Sequence, residues 1–425
     1  PIGVFDSGTG GLTVLEAILT LDIFHNATGA AGSDGLPDFV AETFQYLADQ
    51  ANMPYGHYAA VNKLDLLREN IVKCRDFLLA NSYETRSGEK RPKPPVKMIV
   101  IACNTATAYG LDEVRAAGVP VVGVIHAGAR AAVNRQRKHR GTIGVLATAG
   151  TVVSGCYPKT IKMLLPDAYV ISQGCIGLAE CIDREWHYFS ATATTVRPDY
   201  KGPSLTNTGC TIQTTLMPVY NFDTTGNKLL RQFDADGRCV EIQLNDPANY
   251  VRYHLVTLLE NLKHQRPPQP LNTLILGCTH YPYVRDTIAA VLKELYHCKT
   301  EGRYRYRHVL AEHVELIDPA IETAKQTYLQ LRSADLHLTA HPRGRDLFFI
   351  SVPNTSLPNV QLQSDGWFTH EYKYGRPAGT NKSYVKFVPF DINNVQPDTY
   401  RRIAATLPAV FERLKNAVKG LNVSP

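Results

Sequence analysis

Val96-Lys97-Met98-Ile99-Val100-Ile101-Ala102-Cys103-Asn104-Thr105-Ala106 is an apolar run that stops at a cysteine and two polar residues, with helical spacing after it. Strand, short polar turn, helix is the repeating piece of a parallel α/β sheet. The same order recurs three times. Ile2-Gly3-Val4-Phe5 ends at Asp6-Ser7-Gly8-Thr9-Gly10-Gly11, and an amphipathic stretch follows from Leu12 to Leu21. Gly141 to Leu146 leads into Ala147-Thr148-Ala149-Gly150-Thr151. Leu271 to Leu276 leads into Gly277-Cys278-Thr279-His280-Tyr281-Pro282 and another helix. In sheets of this kind ligands bind outside the carboxyl ends of the strands. Each polar cluster just quoted lies at such an end.

Two of the clusters resemble each other. Cys103-Asn104-Thr105 and Cys278-Thr279-His280 each follow an apolar strand and a small residue. This is a weak internal repeat, and it predicts two related half-molecules, each presenting one cysteine to the substrate. The predicted fold class is therefore α/β, with two similar α/β domains whose sheets are largely parallel and pseudo-two-fold related. Three segments interrupt the rhythm. Residues 25–38 are rich in Gly, Ala and Asp and read as a loop. Residues 187–249 are rich in Thr, Asn, Asp and Gly, with strand-like alternation from Lys228 to Val240. Residues 333–397 hold many Pro, Asn, Tyr and Phe residues. The last two are expected to be β-rich insertions, the first of them an excrescence or lid. An amphipathic helix is expected from about Asp398 to Lys419.

A chain of 425 residues suits two or three domains. Its 44% hydrophobic and 20% charged residues are ordinary for a globular protein, and no run nears the ~20 apolar residues of a membrane span. The net charge of +6 is mild. It gives no reason to expect a nucleic-acid partner, and no membrane partner is expected either. Nine cysteines, an odd number without regular spacing, argue against a disulfide framework. No Cys/His cluster has zinc spacing, so no metal is expected. The expected location is the cytoplasm. Room is left for a removed targeting peptide, because the chain starts at Pro1 inside an apolar run.

The chemistry lies with the two cysteines. Inverting an α-carbon needs a proton taken from one face and another delivered to the opposite face. A thiolate takes one and a thiol gives one, and a thiol at a helix N-terminus is favoured to ionise. A buried cysteine is ordinarily just a small hydrophobe, but two in matching contexts weigh toward function. The turn Asp6–Gly11 offers backbone N–H groups to an anion. It lacks the glycine spacing of dinucleotide sites and the Walker lysine. Asp6 either caps the following helix or serves a catalytic thiol. His280, two residues after Cys278, has the chemistry of an acid–base partner.

These residues together resemble the bacterial glutamate racemases, in the aspartate/glutamate racemase family. The resemblance rests on Phe5 to Leu12, Asp49 with Pro54-Tyr55-Gly56, Ala102 to Ala106, and Leu276 to Pro282. It extends to Ile143-Gly144-Val145 with Thr148, Thr151, Ser154 and Tyr157, and to Leu316-Ile317-Asp318 with Glu322-Thr323-Ala324. It implies a first α/β domain from 1–124 completed by 319–425, and a second from 125–318. It implies racemisation of glutamate without cofactor or metal, for peptidoglycan synthesis. Cys103 and Cys278 would be the proton carriers, acting on the D- and L-enantiomer respectively, assisted by Asp6 and His280. Ser7, Pro54, Tyr55, Gly56, Asn104, Thr105, Thr148, Thr151 and Thr279 would bind the small-molecule substrate. A homodimer is the family's expectation. Gly174 to Glu180 departs from the family's Cys-Pro pattern, so no role is carried onto Glu180. The alternatives are a racemase of aspartate or another amino acid, and a non-catalytic binding homologue.

Overall fold

The computed structural model describes residues 1–338, 344–364, 366–380, 382–395 and 397–418. Its main strands, in chain order, are β1 (Ile2–Asp6), β2 (Phe44–Ala48), β3 (Met98–Ile101), β4 (Val121–Gly123), β5 (Thr142–Ala147) and β6 (Val170–Gly174). They continue with β7 (Leu229–Phe233), β8 (Cys239–Leu244), β9 (Leu271–Gly277), β10 (Leu310–Ile317), β11 (Leu347–Pro353) and β12 (Val385–Pro389). The chain divides into two compact units, Pro1–Gly128 with Pro319–Pro425, and Ala129–Asp318. The division falls inside the helix Val124–Lys138, close to the boundary expected after Val124.

Unit 1 is built on a six-stranded sheet in the order β12-β11-β2-β1-β3-β4. Every neighbouring pair is parallel except β11 with β12. The apolar runs follow from burial on both faces. Along β1 and β3, Ile2, Val4, Met98 and Val100 point into one apolar cluster, and Phe5, Ile99 and Ile101 into another. Those are the two sides of one sheet, with side chains alternating at the strand period. The helices Leu12–Thr20 and Pro319–Ser333 add to the first cluster, and Leu64–Leu79 with Asn104–Arg115 to the second.

The segment after Ser333 corrects the expectation of an insertion. It supplies β11 and β12, two of the six strands, with Phe348, Phe349 and Ile350 buried. Leu347–Pro353 is an apolar run like the other central strands, and β11 pairs in parallel with β2 from Leu347 opposite Gln45 to Ile350 opposite Ala48. The single C-terminal helix is also corrected. It is two helices, Pro397–Thr406 and Pro408–Ala417. Pro408 has no N–H to continue the first ladder, so the helix breaks there. Lys419, the expected end, lies outside the described residues.

Unit 2 carries an all-parallel sheet in the order β10-β9-β5-β6. The helix Pro247–Gln265 packs on it, capped at Asp246, whose carboxylate accepts from the Ala248 N–H at 2.9 Å. The 187–249 segment is less β-rich than its composition suggests. Its paired strands are the antiparallel hairpin β7/β8, turned where the Asp234 carboxylate accepts from the Asp236 and Arg238 N–H groups. Nor is it an excrescence. Cys210, Ile212, Leu216, Tyr220, Leu229 and Leu244 lie in the same buried cluster as Leu146 and Leu276 of the sheet. The Thr and Asn residues satisfy a long irregular backbone: the Asn245 side chain alone bonds Ser190 N–H, Ser190 C=O and Asn227 C=O.

Candidate active site

Asp6 is the last residue of β1, and Cys103 follows the end of the neighbouring β3. The next chain segment at each place turns into a helix, so both side chains stay at the strands' carboxyl end. Cys103 is the N-cap of the helix Asn104–Arg115, and its Sγ accepts from the Ala106 N–H at 3.4 Å. That N–H is one of the donors a helix start leaves unpaired. The thiol also donates to Ser7 Oγ at 3.7 Å. Asp6 is buried, and its carboxylate accepts from Gly11 N–H at 2.8 Å and Gly8 N–H at 3.3 Å. Asp6 fastens the glycine turn through these two bonds, and its charge is felt at the Cys103 thiol.

Burial raises the Asp6 pKa, against the pull of the Gly11, Gly8 and Ser7 N–H groups and the Cys103 thiol. Burial, and next the Asp6 charge, push the Cys103 thiol up to about 12, opposed by Ala106 and Ser7. At neutral pH Cys103 therefore holds its proton. It stands as a thiol that donates to Ser7 Oγ near the Asp6 carboxyl group, an arrangement able to hand a proton to a carbanion.

The turn leaves no space for a side chain at Gly11. A Cβ there would lie 2.4 Å from Asp6 Cβ and 2.9 Å from Ala102 Cβ. Gly11→Ala is expected to cost about 1–3 kcal/mol as an overpacked core site. Urea unfolding measures it, and a midpoint equal to wild type would contradict the close packing of this turn.

Pro54 and Tyr55 lead into the short helix Gly56–Ala60, with a cis peptide between Met53 and Pro54. Tyr55 is buried in the same apolar cluster as Cys103. Its hydroxyl is committed to Asp49 Oδ2 at 2.5 Å, so the hydroxyl itself is not a spare donor for a substrate. Asn104 and Thr105, the first two residues of the Cys103 helix, are buried as well. In unit 1 the structure thus gathers Asp6, Ser7, Cys103, Asn104 and Thr105 at one sheet end, with Tyr55 in the same buried cluster as Cys103.

In unit 2, Cys278 directly follows β9 and is buried, with Thr279 and His280 after it. Its Sγ lies 3.6 Å from His280 Nδ1. The other ring nitrogen, Nε2, donates to Asp183 Oδ2 at 2.8 Å. Burial works against the imidazolium, but the bonds and charges of Asp183 and Cys278 outweigh it and raise the His280 pKa well above its usual value. Nearby, burial raises Glu180, and burial with the Glu180 and Asp183 charges raises Glu185 to about 7. Thr148 caps the helix Ala149–Ser154, its hydroxyl 3.1 Å from that of buried Thr151. Cys278, Thr279 and His280 stand together, and Thr148 with Thr151 follows the adjacent β5.

Asp183 escaped the sequence reading. It closes the short helix Leu178–Ile182, one turn beyond Glu180, and nothing local sets it apart from a surface aspartate. Among the described residues no group of three or more His, Cys, Asp or Glu side chains is arranged to hold a metal ion, and no helix is long and apolar enough to cross a membrane.

Two parallel α/β units, each ending a strand at a cysteine with its own proton-accepting neighbours, define the class of amino-acid racemases. The family described as Asp/Glu/Hydantoin racemase matches residues 78–187, which include Cys103 and Asp183. The glutamate racemase of Limosilactobacillus fermentum is 36% identical, over 86% of this chain and 92% of its own length. That of Rippkaea orientalis is 31% identical, over 65% of this chain and 83% of its own. Among solved structures, a glutamate racemase isoform from Bacillus anthracis superposes with a TM-score of 0.49 at 24% identity, covering 82% of this chain and 87% of that one. The chain belongs to the glutamate racemase family.

Proposed function

We propose that this chain interconverts L- and D-glutamate by cofactor-free acid–base catalysis with two thiols, supplying D-glutamate for peptidoglycan precursors. Cys278 as thiolate takes the α-proton of L-glutamate, and the Cys103 thiol delivers a proton to the opposite face. The product is D-glutamate, with the thiolate now at Cys103, so the reverse reaction starts from that state. Asp6 orients the Cys103 proton, and His280 carries charge beside Cys278. Ser7, Asn104 and Thr105 in unit 1, and Thr148, Thr151 and Thr279 in unit 2, offer hydroxyl and amide groups for the carboxylates and ammonium. Pro54, Tyr55 and Gly56 shape the loop beside Cys103. The family expectation of a homodimer is part of this reading, and sedimentation at micromolar protein tests it: a monomer at every concentration would remove it.

The observation that supports the reading best is the private partner of each cysteine, Asp6 for Cys103 and the His280–Asp183 pair for Cys278. A buried structural cysteine needs no titratable neighbour, whereas a proton carrier does. In deuterium oxide, either enantiomer of glutamate is expected to lose its α-proton, and the opposite enantiomer to appear with deuterium at that carbon. Proton NMR and circular dichroism follow the two events. Folded protein that exchanges the α-proton of neither enantiomer would sink the assignment.

A further inference from the structure

The helix His370–Gly375 and Arg376, from the segment after Ser333, lie against the loop that carries Tyr55. Lys373 Nζ donates to Met53 C=O at 2.6 Å, and the Tyr374 hydroxyl donates to Pro54 C=O at 3.5 Å. His370 Nε2 is 3.0 Å from His57 Nε2. The deepest of these contacts is Arg376. It is 3% exposed, and its Nη2 donates to Asn52 Oδ1 at 2.6 Å.

That bond starts a buried chain. Asn52 Nδ2 donates to both Asp49 carboxylate oxygens at 3.0 Å. Asp49 Oδ2 then accepts from the Tyr55 hydroxyl at 2.5 Å. Asn52, Asp49 and Tyr55 are each at most 1% exposed. Each donor and acceptor fixes the next: an Asn side chain whose oxygen is held by a guanidinium must turn its amide toward the carboxylate. The guanidinium is held in turn by Lys373 C=O at 3.1 Å and by the faces of Phe368 and Tyr384, 4.6 and 4.8 Å from their centroids. A rigid, bidentate-capable cation is hard to justify at this depth for packing alone, since burying a charge costs several kcal/mol. Its orienting effect on Asn52 supplies a reason.

We propose that Arg376 is a positioning residue for the racemisation: through Asn52 and Asp49 it holds Tyr55 in place in the buried cluster that also contains Cys103. The C-terminal segment is then part of the catalytic apparatus. This rests on the two-thiol reading above.

The test uses the full chain with Arg376→Met, Arg376→Lys and Asn52→Ala. Arg376→Met keeps the side-chain length and removes the charge. Asn52→Ala cuts the chain and leaves the Arg376 packing. Both are expected to lower kcat/KM about 10- to 100-fold, the scale of an ångström-sized misplacement, and equally in the two directions. Arg376→Lys is expected to recover part of the loss. The pH profile separates positioning from bulk stability. Burial raises the Asp49 pKa, while Arg376 and Asn52 oppose that rise. Without either one Asp49 protonates at higher pH, so the acid limb of kcat/KM moves up. A purely structural role would lower the unfolding midpoint and leave that limb where it was. If wild type racemises while either folded variant keeps both its kcat/KM and its acid limb, the inference fails. If wild type exchanges no α-proton, the functional reading fails first.

Discussion

Replacing Cys103 or Cys278 by serine, one at a time, is expected to lower kcat/KM for glutamate by about 10²- to 10⁴-fold, the range of a lost general acid or base. The loss must be equal in the two directions for each variant. Enantiomers have the same free energy, so the ratio of the two kcat/KM values is fixed at one whichever thiol is changed. Serine is nearly isosteric with cysteine but far less acidic, so it neither takes nor returns a proton at neutral pH. The Cys103 helix start survives the change, because a serine N-cap still accepts from Ala106 N–H. Calorimetry should therefore show glutamate binding retained while turnover is lost. Wild-type racemisation by either variant would rule out two-thiol catalysis.

That prediction draws on the part of the molecule most open to sequence reading. Strands buried on both faces are written as apolar runs, and β1, β3, β5 and β9 stop at Asp6, Ala102-Cys103, Thr148 and Cys278, where the pattern breaks. Polar and thiol side chains at strand ends are thus marked by their surroundings. Leu347–Pro353 obeys the same rule but is a short run inside a long segment, 333–397, whose composition is otherwise that of loops. Its partner β2 is about 300 residues away in the chain, as the 302-residue separation of the Phe44–Asp346 hydrogen bond shows. No local pattern encodes such a register. Arg376 and Asp183 were hidden for the same reason. Each stands out through a tertiary neighbour, Asn52 or His280, that sequence spacing does not connect to it.

Asp183→Asn is expected to lower kcat/KM about 10- to 100-fold, and to move its alkaline limb toward lower pH. The reasoning starts from the two ends of His280. Nε2 gives its proton to Asp183, and Nδ1 faces the Cys278 sulfur. The pair has two proton arrangements, a thiol bonded to neutral imidazole or a thiolate bonded to imidazolium. A carboxylate on the far nitrogen favours the second, the arrangement that the proposed function requires for taking the α-proton of L-glutamate. Burial lowers the His280 pKa, and the Asp183 bond is foremost among the effects that more than reverse this. With asparagine at 183 the amide can still accept from Nε2, but its charge is gone and burial is left less opposed. Imidazolium is then lost at lower pH, and with it the positive charge that His280 sets beside the Cys278 sulfur. The same shift has a stability sign. Because the folded pKa of His280 is raised, its contribution is complete below the ordinary histidine value and disappears as pH rises through the folded value. The difference in unfolding midpoint between wild type and Asp183→Asn should accordingly be widest in mildly acidic buffer and narrow at alkaline pH. An alkaline limb that stays in place, with the midpoint difference constant across pH, would show that Asp183 does not govern the His280 charge. His280→Asn offers the cross-check. Asp183→Asn made on that background should add almost nothing to the loss, because residues that act as one unit are not additive.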